Sequence, residues 1–427
     1  MRKPKTAIWL ALAGVLACVL LALGQQLFEG QLQVLDFKAP EFPAPVEPAS
    51  SLAEENVTNS PAVPPSGEAS PQQETGEGRP ASAPPSPGAT ANQPAAALPS
   101  NGIYWINSRP LYIHKLRGHV VMLDLWEYTC INCIRTLPTT IEWYNRYRPY
   151  GFEVIGVHGP EFRIAYNVDN VRKAVKRLHI PYPVVVDDQF RIFQAYHANA
   201  WPVRFLIDAK GVVRYERVGE GGDSAFEDAI RDLLKEAQSG VKLPPKETAA
   251  SSGNAFAPGC GGDTPEMYVG DWEGRGVLAN PEGYEDGKTI DYKLPGSVDD
   301  GRFVLAGRWK TDANGMIYAG KRNAEGELEM RYHARELYAV LNVARSRPSR
   351  LYITQDGNNL TAANKGQDVQ LDGQGRSYVE VRESRMYYLV RNASDSGHVV
   401  VLRPAAPGIT VNSFTFGNNC QLDFAHL

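Results

Sequence analysis

The chain has 427 residues, which is enough for two domains and further segments, because one domain typically takes about 100–200 residues. Its 44 basic and 48 acidic residues leave a net charge of −4, so composition does not indicate nucleic-acid binding or attraction to an acidic membrane surface. Five cysteines are too few for a small scaffold held together by disulfides.

An uncharged, largely apolar stretch from Ala7 to Gly24 follows three basic residues at the N-terminus. As a helix it is long enough for the hydrocarbon core of a bilayer, and the preceding charges favour a cytoplasmic N-terminus. We therefore predict a single-pass anchor in the cytoplasmic membrane over 1–24, with the rest of the chain outside, in the periplasm. A cleaved signal peptide is the main alternative, and a lipoprotein site at Cys18 is a weaker one.

Residues 25–100 form a segment rich in Pro, Ala, Ser and Glu without apolar periodicity. Such a segment buries too little apolar surface to offset its chain entropy. We predict a disordered, semi-stiff linker that holds the folded part away from the membrane.

The most informative stretch is 120–138, VVMLDLWEYTCINCIRTLP. An apolar run predicts a buried strand, and apolar residues spaced three and four apart after Cys133 predict a helix. Cys130 then lies at the helix N-terminus, where unpaired N–H groups and the positive end of the macrodipole favour a thiolate. We expect a lowered pKa for Cys130 and a less exposed Cys133 one turn further on.

Residues 101–240 read as an α/β domain in which strands first alternate with helices, as in parallel βαβ units, and a hairpin follows. Residues 241–262 are a second polar linker. In 263–427 the pattern changes to eight or more short β runs separated by turn residues, without a helical period. This pattern predicts an antiparallel β-sandwich or jelly roll.

Two further features near the motif have chemical interest. Asp124 lies inside the apolar strand, where a carboxyl is costly unless it is used or satisfied. It either caps a neighbouring backbone group or, with its pKa raised by burial, accepts a proton from Cys133. The Trp201–Pro202 peptide precedes a strand, and a cis bond there would bring the backbone close to the two sulfurs.

These motifs together resemble the thioredoxin superfamily. The insert at 162–181 looks like the extracytoplasmic TlpA-type branch, and the segments 128–133 (YTCINC), 156–162 (GVHGPEF) and 413–417 (SFTFG) are similar to DipZ-type thioredoxin-like proteins. The resemblance implies a thioredoxin-like α/β domain, with a central mixed sheet flanked by helices. It also implies an all-β sandwich of the carbohydrate-binding-module type at the C-terminus.

The resemblance also implies roles for individual residues. Cys130 is the nucleophile, Cys133 the resolving thiol, Asp124 the buried proton acceptor and Pro202 the cis proline. The Cys130–Cys133 couple is itself the redox group, so no separate cofactor is expected. Ile131-Asn132 stands where ordinary thioredoxins have Gly-Pro, which leaves the direction of the reaction open. One membrane segment replaces the multi-span part of DipZ, so electrons must come from a separate membrane donor or acceptor protein.

Further residues are candidates for the substrate groove: Trp126, Tyr128, His158, Glu161 and Trp201. Trp126 and Tyr128 either shield the sulfurs or complete the core. His158 and Glu161 follow a parallel strand at the sheet edge where active sites gather, although a hydrogen-bonded loop histidine is the more ordinary interpretation. Glu127, between the two aromatic residues, is expected to be solvated.

No metal site is predicted, because a closed zinc site needs four ligands and no second pair accompanies the C-x-x-C. Cys260 and Cys420 bracket the β region and are candidates for a structural disulfide if its two ends meet. Its aromatic residues either stack on a glycan or, at period-two positions, form the core. These residues are Tyr268, Trp272, Trp309, Tyr332, Tyr338, Tyr387 and Tyr388.

The sequence therefore predicts a membrane-anchored, extracytoplasmic thiol–disulfide oxidoreductase that acts on protein thiols and disulfides of the cell envelope. Two alternatives remain open. One is a thiol peroxidase, in which Cys130 becomes a sulfenic acid that Cys133 condenses with. The other is a non-enzymatic glycan-binding module of the envelope on a redox scaffold.

Overall fold

The computed structural model describes the following residues, all within one compact unit: 92–99, 101–246, 264–270, 277–322, 326–343 and 348–417. No helix in these ranges is both long and apolar enough to cross a membrane. The predicted anchor at 1–24 and the candidate disulfide partners Cys260 and Cys420 lie outside the described residues.

Part of each predicted linker is ordered: residues 92–99 near the end of the first and residues 241–246 at the start of the second. Within 92–99 the Asn92 N–H donates to the Val213 carbonyl at 2.6 Å, and Leu98 is buried in an apolar layer beside the sheet. The prediction of disorder is wrong for this part, because a short apolar run ending at Leu98 has surface to pack. In the second linker, Lys246 forms an ion pair with Asp228 at 2.7 Å.

The first folded part contains one six-stranded sheet. Strands β2, β3 and β4 are parallel at its centre, and β1, β5 and β6 run antiparallel to their neighbours, in the order β1-β4-β3-β2-β5-β6. The predicted βαβ alternation and closing hairpin are confirmed. The strands are β1 (Tyr104–Ile106), β2 (Val120–Trp126), β3 (Phe152–His158), β4 (Val184–Val186), β5 (Val203–Ile207) and β6 (Val213–Val218).

Helices cover both faces of this sheet. They are α1 (Ile131–Tyr147), α2 (Val168–Arg177), α3 (Arg191–Ala195) and α4 (Asp223–Ala237), with 3₁₀ turns at Ile113–Leu116, Arg148–Tyr150 and Arg163–Tyr166. Because side chains alternate across a strand, β2 sends Met122 and Trp126 to the layer of α1 and α4, and Leu123 and Leu125 to the layer of α3. Asp124 therefore points to the α1 face of the sheet.

The second folded part is all-β in its described residues and comprises thirteen strands. They are β7 (Met267–Tyr268), β8 (Thr289–Tyr292), β9 (Arg302–Asp312), β10 (Gly315–Tyr318), β11 (Glu327–His333), β12 (Glu336–Val343), β13 (Ser349–Gln355), β14 (Asn358–Asn359), β15 (Val369–Leu371), β16 (Ser377–Val381), β17 (Arg385–Arg391), β18 (Gly397–Pro404) and β19 (Ile409–Gly417). Ten of them follow one antiparallel path, β15-β16-β13-β18-β11-β9-β10-β19-β12-β17. The predicted all-β class is confirmed.

This sheet curls until its two ends meet. The Gly366 N–H, just before β15, donates to the Leu389 carbonyl of β17 at 2.9 Å, and Lys365 bridges Val390. Strands β8 and β10 both pair with Trp309 and Lys310 of β9, so they lie on opposite sides of it, and Ala306 of β9 pairs with Glu327 of β11. The enclosed side chains form a single apolar core.

The aromatic residues of the β region are distributed between this core and a second location. Trp309, Tyr332 and Tyr387 are buried in the core, as their period-two positions indicated. Tyr338 and Tyr388 stack on each other, with ring centroids 4.5 Å apart, in a separate cluster against the first folded part. Trp272 lies outside the described residues.

Candidate active site at the C-x-x-C motif

The two cysteines lie where β2 gives way to α1, as predicted. Cys130 is the N-cap of α1, in an extended conformation, and its sulfur accepts a hydrogen bond from the Cys133 N–H at 3.2 Å. Both are free thiols; Cys130 is half-buried, and Cys133 is fully buried. Cys130 is therefore the more exposed of the two cysteines, and Cys133 is held behind it.

The predicted lowering of the Cys130 pKa is wrong. Burial raises the pKa of Cys130 above the ordinary 9.0, and the charges of Glu161 and Glu127 add to this, while hydrogen bonds from Cys133 oppose it. Burial raises the pKa of Cys133 still further. The helix N-terminus is present, but the desolvation of the thiolate outweighs it, because the charged form loses its water on burial.

Asp124 is fully buried on β2, and burial raises its pKa from 3.8 to about 6. Arg204 lies directly opposite it on β5, and its positive charge limits this rise. The Tyr182 hydroxyl donates to Asp124 Oδ2 at 3.5 Å, and no described residue forms a hydrogen bond with Oδ1. A carboxyl that titrates near pH 6 can exchange a proton under physiological conditions.

The Trp201–Pro202 peptide bond is cis, as the resemblance implied. Pro202 is buried immediately before β5, which pairs with β2, and its carbonyl accepts a hydrogen bond from the Gly219 N–H at 2.8 Å. Trp201 is half-buried and packs on Phe193, with ring centroids 5.7 Å apart.

Trp126 and Tyr128 are both fully buried and share an apolar layer with Cys133. The Tyr128 hydroxyl donates to the Ile164 carbonyl at 3.2 Å. The two interpretations offered for these residues are therefore compatible, because their rings complete the core on the side where Cys133 lies.

Glu127 and His158 both differ from expectation. Glu127 is fully buried rather than solvated, and its Oε2 accepts a hydrogen bond from the Thr129 N–H at 2.5 Å. His158 is the last residue of β3 rather than a loop residue, and neither ring nitrogen has a hydrogen-bond partner in the part of the chain that the structure describes. Its Nε2 lies 3.6 Å from Glu127 Oε1.

The β region packs directly against the motif. Ile131, between the two cysteines, is buried with Phe162 against three residues of the β region, Tyr338, Val340 and Met386. We call this cluster the docking contact. Because Ile131 is the neighbour of Cys130, the β region limits the directions from which a partner can approach the Cys130 sulfur.

Charged residues reinforce the docking contact. Arg135 of α1 reaches Glu336 of β12 at 3.2 Å and Glu220 at 3.8 Å, with all three side chains at most 10% exposed. Glu336 also accepts hydrogen bonds from the hydroxyls of Tyr338 and Tyr388, at 2.9 and 2.8 Å.

Glu161 belongs to the same surface, and its Oε1 accepts a hydrogen bond from the Tyr268 hydroxyl. Among the described residues, no group of three His, Cys, Asp or Glu side chains is arranged to hold a metal ion.

Sequence reasoning overlooked Arg204, Arg135 and Glu336. Arg204 had a visible signal, since a charged residue inside the apolar run of β5 needs a partner. Arg135 and Glu336 are far apart in sequence, and no local pattern links them.

A model described as the AhpC/TSA family matches residues 98–216, and one described as a thioredoxin-like C-terminal domain matches residues 264–417. The chain belongs to the thioredoxin-like superfamily.

Among individual relatives, the chain is 32% identical over 320 residues to protein DipZ of Mycobacterium bovis, covering 73% of this chain and 41% of that protein. It is 30% identical over 128 residues to thiol-disulfide oxidoreductase ResA of Bacillus cereus, covering 30% of this chain and 71% of that protein. A solved thiol:disulfide interchange protein DsbE from Chlorobium tepidum is 24% identical, with a TM-score of 0.29, covering 34% of this chain and 96% of that one. The chain thus spans well under half the length of DipZ.

Proposed function

We propose that this chain exchanges disulfides with partner proteins through the Cys130–Cys133 dithiol. The observation that carries the proposal is the arrangement of the two cysteines: the more exposed Cys130 at the start of α1, with the buried Cys133 one turn behind it. The name of the relative ResA, a thiol-disulfide oxidoreductase, points the same way.

The exchange takes two steps. The Cys130 thiolate attacks one sulfur of a partner disulfide, forming a mixed disulfide and releasing the other partner sulfur as a thiol. Cys133 then loses its proton and attacks Cys130. The mixed disulfide breaks, the second partner thiol leaves with a proton, and Cys130 and Cys133 end as a disulfide. Two electrons pass from the dithiol to the partner.

We further propose that the dithiol acts as a reductant. A lowered thiol pKa stabilises the reduced form of such a couple and makes its disulfide oxidising. Here burial raises the pKa of both Cys130 and Cys133, so the reduced form gains no such stabilisation. A reduction potential near that of thioredoxin, about −270 mV, is expected.

The location follows from the sequence rather than from the described structure. The apolar segment Ala7–Gly24, with basic residues before it, supports a membrane anchor and an extracytoplasmic site of action. A separate membrane protein would then return the electrons. Glycan binding by the β region remains a proposal taken from the resemblance alone.

A trapping experiment tests the exchange. In a Cys133→Ser variant the second step is blocked, so mixed disulfides between Cys130 and its partners should accumulate and disappear on treatment with dithiothreitol. Purified wild-type protein should also reduce insulin disulfides. A Cys130→Ser variant is the matched control and should do neither. If the Cys133→Ser variant trapped no more envelope protein than this control, the proposal would be wrong.

A further inference from the structure

Glu127 and His158 form a buried acid–base pair to which the exchange steps above do not assign a task. His158 packs on Trp126 and Tyr128, which share an apolar layer with Cys133. Both side chains of the pair are fully shielded from solvent, with Glu127 Oε1 3.6 Å from His158 Nε2. Within the described part of the chain, neither this oxygen nor either imidazole nitrogen has a hydrogen-bond partner.

The fold fixes both members of the pair. His158 ends β3 and Glu127 immediately follows the end of β2, and these neighbouring parallel strands place Trp126 opposite His158. The imidazole stacks on the Tyr128 ring, with centroids 5.5 Å apart, and meets the Trp126 ring edge-on. The Thr129 N–H holds the other carboxylate oxygen of Glu127. The pair is therefore positioned and does not depend on a mobile surface side chain.

Such an arrangement is suited to holding one proton. A buried polar atom without a hydrogen-bond partner has lost its water and gained nothing in return, so the unpaired oxygen and nitrogen destabilise the folded protein as they stand. One proton between Glu127 Oε1 and His158 Nε2 would satisfy both atoms at once. Small movements of the two side chains are enough to close the remaining distance to hydrogen-bond length.

Glu127 is also connected to the thiols. Burial is the main reason that the pKa of Cys133 is raised, and the negative charge of the Glu127 carboxylate raises it further, while a hydrogen bond from the Glu127 main chain opposes both. The same carboxylate contributes to the raised pKa of Cys130. A change in the charge of Glu127 therefore changes the pKa of both thiols.

Other ionisable groups face this region from the neighbouring elements. The Tyr128 ring stacks on the imidazole, and the negative charge of Glu161, which follows β3, raises the pKa of Cys130. From the β region, the pKa of Glu266 is raised by burial and then by the charge of Glu127. The positive charge of Arg177, on α2, opposes the rise in the Tyr128 pKa that burial causes. The partners that set the pKa of Asp124 are Arg204 and Tyr182, so it belongs to a different group.

We propose that Glu127 and His158 together receive the proton that Cys133 loses when it resolves the mixed disulfide. The inference rests on the proposed function. In this step the Cys133 S–H bond breaks and its proton passes to the pair, while the Cys133 sulfur bonds to Cys130. The Cys130–partner bond breaks, and the departing partner thiolate takes a proton, so that the pair returns to its starting state.

Ellman's reagent separates the two steps, because it releases one coloured thiolate when Cys130 attacks and a second when Cys133 resolves. We expect the second release at pH 7 to be about 10²-fold slower in Glu127→Gln and in His158→Asn, the size of a modest general-base effect. In both variants the second release should rise about tenfold per pH unit through neutrality, because Cys133 then loses its proton only to solvent. The first release should be faster in Glu127→Gln, since a negative charge is gone.

A double variant should be no slower than either single one, because the two side chains act on the same proton. Glu227→Gln is the matched control: this buried carboxylate accepts a hydrogen bond from the Tyr147 hydroxyl and should leave both releases unchanged. If Glu127→Gln does not fold, the rate and pH profile of His158→Asn decide the question.

If the second release were as fast in the folded Glu127→Gln and His158→Asn variants as in the wild type, or equally slowed in Glu227→Gln, the role of Glu127 and His158 as proton acceptor would be wrong. Disulfide exchange itself would still stand. If the wild-type protein gave no second release, the exchange itself would be wrong.

Discussion

Asp124 on β2 lies directly opposite Arg204 on β5, in the middle of the six-stranded sheet. Arg204 is fully buried, forms an ion pair with Asp223 at 3.1 Å and packs over the rings of Trp143 and Phe226. An ionised Asp124 is therefore not isolated, yet burial still raises its pKa to about 6. The carboxyl is thus held close to its point of ionisation at neutral pH.

This relationship makes the stability of the protein depend on pH. Folded Asp124 keeps its proton up to about pH 6, whereas the unfolded chain releases it near 3.8, so the free energy of unfolding falls as the pH rises between these values. The full effect is about 3 kcal/mol, at 1.36 kcal/mol per pKa unit. Between pH 4 and pH 7 the decrease measured by urea unfolding should be smaller in Asp124→Asn than in the wild type by about this amount; the rest comes from Glu220 and Glu266, whose pKa values burial raises to about 8 and about 7. The exposed Asp232→Asn should show the full wild-type decrease, and an equally large decrease in Asp124→Asn would contradict the assignment.

Cys130 should react slowly with alkylating reagents. Because burial raises its pKa above 9.0, the pH profile of iodoacetamide alkylation, followed at Cys130 by peptide mass spectrometry, should have its midpoint above that value. Glu161→Gln should move the midpoint to lower pH, because it removes a negative charge that raises the Cys130 pKa. Asp169→Asn, exposed on α2, should leave it unchanged. A midpoint below that of free cysteine would restore the expectation drawn from the helix N-terminus.

The ion pair between Arg135 and Glu336 should contribute to stability more than an exposed pair does. Glu336→Gln leaves the buried guanidinium with the more distant Glu220, and we expect it to lower the free energy of unfolding by about 3 kcal/mol. Glu383→Gln breaks a more exposed pair with Arg177, at 3.3 Å, and should cost less than about 0.5 kcal/mol. If urea denaturation showed the same loss in free energy of unfolding for both variants, the buried pair would contribute no more than the exposed one.

The docking contact should also control access to Cys130. Met386→Ala removes apolar contact from the cluster that covers Ile131, and we expect it to lower stability by about 2–4 kcal/mol. It should accelerate the reduction of insulin, a protein substrate, relative to that of oxidised glutathione. Leu402→Ala, in the separate core of the β region, should destabilise similarly without changing this ratio. An unchanged ratio in Met386→Ala would mean that the β region does not restrict access.

The sequence allowed the local part of this structure to be predicted. The strand, turn and helix around Cys130 follow from an apolar run and a helical spacing within a short segment. The strands of the β region follow from similar local patterns. Patterns of this kind depend on a few neighbouring residues and can be interpreted without knowledge of tertiary contacts.

The electrostatics of the site could not be predicted in this way. Glu127 is buried close to His158, which comes from another strand, and the pKa of Cys130 depends on the loss of water around the thiol, to which Glu161 adds its charge. A rule based on the helix N-terminus includes only the favourable contribution. Tertiary burial raises the Cys130 pKa where a lowered one was expected. The loss of hydration destabilises the thiolate more than the first turn of the helix stabilises it.

The most direct test of thiol–disulfide exchange is a titration of the full-length protein in glutathione buffers of known potential, with free thiols counted by mass after alkylation. We expect the thiols of Cys130 and Cys133 to be oxidised and reduced together, as one reversible two-electron couple. The ratio of its reduced to its oxidised form should change tenfold for about every 30 mV, with a midpoint near −270 mV. A midpoint near −120 mV would contradict the reducing direction. Two cysteines that oxidise independently of each other would contradict the exchange mechanism itself.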